Sequence, residues 1–193
     1  MVSTGFMICL PLAYLLGSSM GAYLICVLFG LPSPSESGSR NPGATNVYRL
    51  GGMLPAALTL IWDAGKGALA VGLGHLAGLE AEYLGLVAVA AVLGHILPIY
   101  HKFQGGKGVA TMLGTGLALA FWTTLILGAV WWALLLWKRI SSLASLAAAG
   151  LAPWIAYFFN PDFTLFFVVL SLVLVIRHRD NIIALAKGKE QSL

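Results

Sequence analysis

Three glycines and two lysines fall within the eleven residues His101-Lys102-Phe103-Gln104-Gly105-Gly106-Lys107-Gly108-Val109-Ala110-Thr111, between two long apolar runs. Glycine lets a backbone approach a ligand closely, and Lys107 brings a positive charge to the same place, so the stretch reads as an anion-binding loop. A helix starting near Val109 would add the N–H groups of its first turn to the same anion. A nucleotide P-loop is excluded by spacing. The G-x-x-x-x-G-K-[ST] pattern fails, Gly108 stands where Ser or Thr should follow the lysine, and no strand precedes the loop.

Two further polar stretches carry groups of compatible chemistry. The first runs Ser37-Gly38-Ser39-Arg40-Asn41-Pro42-Gly43-Ala44-Thr45-Asn46-Val47-Tyr48-Arg49, with no acidic residue after Glu36. Its turn formers and hydroxyl, amide and guanidinium donors suit a phosphorylated substrate, although an ordinary connecting loop has much the same composition. The second is Arg177-His178-Arg179-Asp180-Asn181-Ile182. Its arginines suit a juxtamembrane anchor for anionic lipid. Alternatively His178 and Asn181, one helical turn apart, point together into a site, where a neutral imidazole accepts a hydrogen bond from a substrate hydroxyl or acts as a base. Ser141, Ser142 and Ser145 follow Lys138 and Arg139. Helix caps are the ordinary use of such serines, and reaching the same anion is the alternative.

Asp63, Lys66 and His95 lie inside apolar sequence. Asp63 and Lys66 are spaced i, i+3 and share a helical face, where they can neutralise one another. Ionisable groups within a span are costly and face the bundle interior, so the pair is expected to orient the loops. His95, in Gly94-His95-Ile96-Leu97-Pro98, is a packed polar residue, a ligand or a base near a helix end that Pro98 closes.

The elements that must position these groups are membrane helices. Of 193 residues, 59% are hydrophobic and 9% charged, with mean hydropathy +0.90, against roughly a quarter charged in soluble domains. Residues 1–35 carry no charge, and without a basic start they are expected to remain as the first helix rather than leave as a signal peptide. Cys9 and Cys26 both fall in that run; on one helix they would be ~25 Å apart, too far to bridge. Apolar segments cover about 6–29, 53–79, 83–100, 109–137, 140–159 and 163–176. The fourth would be ~43 Å long as one helix against a ~30 Å bilayer core, so it tilts strongly or divides near Gly114, Gly116 or Phe121-Trp122-Thr123-Thr124. Division gives seven spans. Arg40, Arg49, Lys102, Lys107, Lys138, Arg139, Arg177, Arg179, Lys187 and Lys189 then share one side, and Glu80, Glu82 and Asp162 the other. The positive-inside tendency places the amino terminus outside and the carboxyl terminus in the cytoplasm. The expected fold is therefore an all-α, seven-span membrane protein, a single domain over 1–193, with its polar islands facing the cytoplasm.

Taken together, these stretches resemble the bacterial acyl-phosphate:glycerol-3-phosphate acyltransferase family. The matching residues are Gly38-Ser39, Asn41-Pro42-Gly43-Ala44-Thr45-Asn46-Val47 with Arg49, Asp63…Lys66-Gly67, Gly94-His95…Pro98, Phe103…Gly105-Gly106-Lys107-Gly108-Val109-Ala110-Thr111 and His178…Asn181-Ile182. They run from about Tyr14 to Glu190 in family order. The resemblance implies an inner-membrane, multi-pass enzyme that moves a fatty acyl group from acyl phosphate to the 1-hydroxyl of glycerol 3-phosphate, giving lysophosphatidic acid and phosphate without metal, nucleotide or other cofactor. It carries catalytic roles to Ser39, Lys107, His178 and Asn181. Phosphate binding is expected of Ser39, Thr45, Asn46, Arg49, Gly105, Gly106, Lys107, Gly108 and Ser142, with Asp63, Lys66 and His95 in support. The partners implied are the two substrates and membrane lipid, with no nucleic acid; a monomer is compatible with the sequence.

The chain also departs from the family pattern. Arg40 stands where Gly is usual, Ser33-Pro34-Ser35 replaces an Asp-Pro-Arg element, and Gln104 replaces a common Lys. None of the four histidines has Asp five positions on, so the H-x-x-x-x-D motif of soluble-type acyltransferases is missing. The competing reading is a small transporter or channel for an anionic metabolite, suggested by the intramembrane Asp63 and Lys66 and by the glycine-rich breaks. Against it, the polar islands cluster on one face.

Overall fold

The first apolar run, uncharged over 25 residues, does not make one straight helix. It forms α1 (Thr4–Ser18) and α2 (Gly21–Leu28), separated at Ser19 and Met20, both of which have extended backbone. The computed structural model describes residues 3–193, and among them the only regular structure is helical. After α2 come α3 (Ala44–Gly51), α4 (Met53–Leu76), α5 (Ala81–Ile96) and α6 (Val109–Leu119). The chain continues with α7 (Phe121–Lys138), α8 (Ser141–Phe159), α9 (Thr164–Arg177) and α10 (Arg179–Ala186).

The long fourth apolar segment is divided, as its length required. α6 ends at Leu119, Ala120 adopts φ −144° and ψ 72°, and α7 begins at Phe121. Among the described residues, five helices are long and apolar enough to cross a bilayer: Thr4–Leu28 taken together, Met53–Leu76, Ala81–His101, Phe121–Lys138 and Ser141–Phe159. A sixth arises if Pro161–Arg177 and Arg179–Ala186, bent by 61° at His178, are one span. α6, an apolar helix of 11 residues, is shorter than these candidate spans.

The chain forms two compact units, one ending at Ala118 and one starting at Leu119. In the first, α1 and α5 pack backbone to backbone. A Cβ added at Gly17 would collide with the Ala91 backbone, and one at Gly94 with the Tyr14 carbonyl and the Ser18 amide. Small residues at such crossings replace the hydrophobic drive that lipid cannot supply. The same device joins α4 to α6, where Gly67 meets Thr111 and Gly114 meets Ala64. Cys9 and Cys26 are buried free thiols, in keeping with their expected part as small apolar residues.

The second unit packs α8 between α7 and α9 through buried Ala144, Ala149, Ala152 and Ala156. Pro153 inside α8 has no N–H to give the carbonyl one turn earlier, that of Ala149. Ser171 of α9 supplies the bond, its Oγ donating to Ala149 O at 2.7 Å. Trp131 Nε1 donates to Ser145 Oγ at 3.0 Å and Thr123 Oγ1 to Asn160 Oδ1 at 2.9 Å, so these polar groups are satisfied within the unit.

Candidate active site

In the first unit the site begins with a buried ion pair. Asp63 and Lys66, one turn apart on α4, are nearly inaccessible and meet at 2.9 Å. They serve the break between α1 and α2. Lys66 Nζ donates to Ser19 O at 2.5 Å, and Gly21 N–H donates to Asp63 Oδ1 at 3.1 Å. A helix interrupted within a span leaves carbonyls and amides without partners, and here one charge of the pair caps each side of the gap. Lys66 also lies 3.0 Å from Nδ1 of the buried His95 at the end of α5. The expected supporting set of Asp63, Lys66 and His95 is thus one connected cluster.

From His95 the cluster reaches the glycine-lysine loop. Gly106 N–H donates to His95 O at 3.2 Å. A Cβ on Gly105 would collide with the His95 and Ile96 carbonyls, and one on Gly106 with the His95 ring and, at 2.9 Å, with Pro42 O. Only glycine fits at either position, for reasons of space. The upstream side of the loop is tied to the first two helices. Tyr14 donates to Leu97 O at 2.7 Å, Ile99 N–H reaches Ser18 Oγ at 3.4 Å, and Tyr23 stacks on His101 at 4.1 Å between ring centres. Lys102 and Phe103 take positive φ (51° and 61°) at this turn. Lys107 follows, half-buried, just before α6.

The Pro42 carbonyl belongs to the other loop of the first unit, so Gly106 brings the two together. That loop is organised by Asn46, which is almost fully buried near the start of α3. Its Oδ1 accepts from Ser39 N–H at 2.8 Å, and its Nδ2 donates to Pro34 O at 2.9 Å and Ser37 O at 3.0 Å. The amide expected among the phosphate contacts is therefore engaged in folding the Ser39 turn. Thr45 sits in the first turn of α3 and Arg49 in its last, both half-buried, while Ser39 is exposed.

The remaining expected residues lie in the second unit. His178 is buried at the junction of α9 and α10, and its Nδ1 lies 2.8 Å from Leu174 O. A carbonyl can only accept, so Nδ1 carries a proton, and in the neutral ring Nε2 is then the acceptor. Asn181 Nδ2 donates to Glu190 Oε1 at 2.6 Å, and Ser142 Oγ donates to the same oxygen at 2.6 Å. Ser142 and Asn181 are thus brought together by Glu190, a residue to which sequence reasoning gave no role. Its setting, Gly188-Lys189-Glu190-Gln191, looks like a solvated tail. The tail instead folds back, with Lys189 N–H bonded to Ala184 O and Leu193 N–H to Arg139 O. The serines at the start of α8 are not caps. Its N-cap is Ile140, without a side-chain bond.

The family model described as glycerol-3-phosphate acyltransferase matches residues 7–188. A glycerol-3-phosphate acyltransferase of Hahella chejuensis is 61% identical over 182 residues, 94% of each chain, and one of Idiomarina loihiensis 48% over 180, covering 93% of this chain and 92% of that one. Among solved structures, PlsY (YgiH), an integral membrane glycerol 3-phosphate acyltransferase, superposes in its glycerol 3-phosphate form with a TM-score of 0.91 at 34% identity, over 97% of this chain and 95% of that chain. Its lysophosphatidic acid form gives 0.89 at 33%, with the same coverage. A match of this length and identity places the chain in the glycerol-3-phosphate acyltransferase family.

Proposed function

We propose that the protein transfers a fatty acyl group from acyl phosphate to the 1-hydroxyl of glycerol 3-phosphate, releasing lysophosphatidic acid and inorganic phosphate. The observation that carries this reading is the near-full-length identity to enzymes of that name, including one solved in a glycerol 3-phosphate form. Acyl phosphate is a mixed anhydride with a good leaving group, so no acyl-enzyme is required. The protein has to hold two phosphates near one another without letting them repel. Lys107, Arg49, Thr45, Ser39 and the backbone donors of Gly105, Gly106 and Gly108 neutralise and orient them, which supplies proximity and electrostatic stabilisation. Asn46 shapes the turn that presents Ser39. His178, with Nε2 as the acceptor, and Asn181 position the attacking hydroxyl; Ser142 and Glu190 hold Asn181 at its angle. The proton leaves to His178 or to the donor's own phosphate.

In this reading α6 is counted as a short span beside the six longer ones, which makes seven. Its 11 residues cover only ~16 Å, about half a bilayer core, so the membrane thins locally or the helix lies within the bundle. The amino terminus is then outside, and the polar loops face the cytoplasm of a bacterial inner membrane, as the distribution of basic residues favours. The whole chain works as one domain. The charged pair that suggested a transport pathway has a structural partner for each charge at the α1–α2 break.

The test is to mix detergent-purified protein with acyl phosphate and glycerol 3-phosphate. Phosphate release that requires both substrates is expected. Solute counterflow in liposomes without phosphate release would favour a transporter instead.

A further inference from the structure

The pair that holds the α1–α2 break also determines which face His95 shows the glycine loop. Lys66 Nζ has three partners: Asp63 Oδ1 at 2.9 Å, Ser19 O at 2.5 Å and His95 Nδ1 at 3.0 Å. An ammonium has three N–H donors and no acceptor, so these partners take all three and Nδ1 must accept the last. Asp63 Oδ1 is the other neighbour of Nδ1, and at 3.6 Å it is too far to hold a proton there. With Nδ1 accepting from Lys66, the ring's proton sits on Nε2, the edge that faces the loops. A Cβ on Gly106 would meet both Nε2 and Pro42 O, which places the imidazole edge where the Asn41-Pro42-Gly43 and Gly105-Gly106 backbones approach each other.

We propose that His95 is a positioning residue, and that its Nε2–H, set by Lys66 and Asp63, holds the two anion-binding loops in register. This rests on reading those loops as the phosphate cradle. The arrangement explains why an ion pair is retained in apolar surroundings, where a hydrophobic replacement would often be no less stable. The pair fixes a tautomer as well as a helix break. It also gives the loops a hinge-free support, because Asp63, Lys66 and His95 come from the middle of α4 and the end of α5 rather than from the loops themselves.

The test has two arms. Nitrogen-15 NMR of histidine-labelled protein in nanodiscs, with the His95 signals assigned by loss in a His95→Gln sample, should show an unprotonated Nδ1 and a protonated Nε2. The Lys66→Met/Asp63→Asn double variant, which removes both charges together, should lose that fixed pattern. A ring protonated on Nδ1, or on both nitrogens, would overturn the proposal. In the kinetic arm, His95→Gln keeps an amide donor near the place of Nε2 and should retain most of the wild-type kcat/KM. His95→Leu, similar in size but without a donor, should raise the KM for glycerol 3-phosphate roughly tenfold while changing kcat less. Equal behaviour of the Gln and Leu variants would show that the donor does nothing and would sink the idea. If His95→Leu does not fold, the nitrogen shifts of the wild type decide. If the wild type transfers no acyl group, the functional reading fails, and those shifts still report on the ring.

Discussion

In the proposed mechanism, His178 and Lys107 divide the chemistry at the scale of single residues. Lys107 is there the charge that the glycine loop adds to its backbone donors, and its removal leaves Arg49 as the remaining proposed cation for two phosphates. Lys107→Ala should lower kcat/KM by about 100-fold or more, read as phosphate release at unchanged expression. His178→Ala removes the Nε2 acceptor, and a loss of ~10²–10⁴ in kcat is expected if it acts as the base. A smaller loss, near tenfold, would assign the proton to the donor phosphate. Glu190 bears on both stability and turnover. Glu190→Ala frees the Ser142 hydroxyl and the Asn181 amide, and should lower thermal stability by about 2 kcal/mol along with kcat; unchanged melting and turnover would mean the tail contact is idle. The charged and donor-bearing loops could be seen in the sequence because glycine, lysine and arginine are conspicuous among apolar residues. Glu190 could not, since nothing in a short polar tail shows that it folds back on α8. Asn46 was singled out, but that its amide ties the Ser39 turn could not be read from the sequence.

At the scale of elements, two helix irregularities, the α1–α2 break and Pro153, are matched by polar groups on a neighbouring helix. The clearest pair is Pro153 and Ser171. Ser171→Ala should destabilise the fold by ~1 kcal/mol, and by nearly nothing in a Pro153→Ala background, where the amide at 153 can bond Ala149 O itself. Thermal unfolding of the four proteins of this cycle checks it; equal losses in both backgrounds would disconnect the two residues. The division of 109–137 was legible because its length exceeded what one span can use. The break between α1 and α2 was not, because an uncharged run gives no length signal there. The available clue was the small polar cluster Gly17-Ser18-Ser19 followed by Gly21, with Asp63 and Lys66 forty residues away to cap it.

For the whole molecule, the proposed count of spans and their direction rest on where ten basic residues fall. Cysteine mapping tests this in cells, with Cys9 and Cys26, both buried, replaced by Ala. Single cysteines at Ser37 and Lys187 should be shielded from an impermeant thiol reagent added outside, and one at Glu82 labelled. Labelling of Ser37→Cys and Glu82→Cys together from outside would contradict the topology. The membrane class and helical fold were legible from composition alone, because 9% charge cannot clothe a soluble chain of this length. The grouping into two compact units was not, since each unit is sewn together by glycine and serine contacts that look the same in sequence wherever they occur.

The most direct measurement of the central claim is product stoichiometry in purified protein supplied with acyl phosphate and labelled glycerol 3-phosphate. One lysophosphatidic acid formed for each phosphate released, at a rate that depends on both substrates, is the predicted result. Phosphate release that continues without glycerol 3-phosphate, or labelled glycerol 3-phosphate left unacylated while acyl phosphate is consumed, would contradict it.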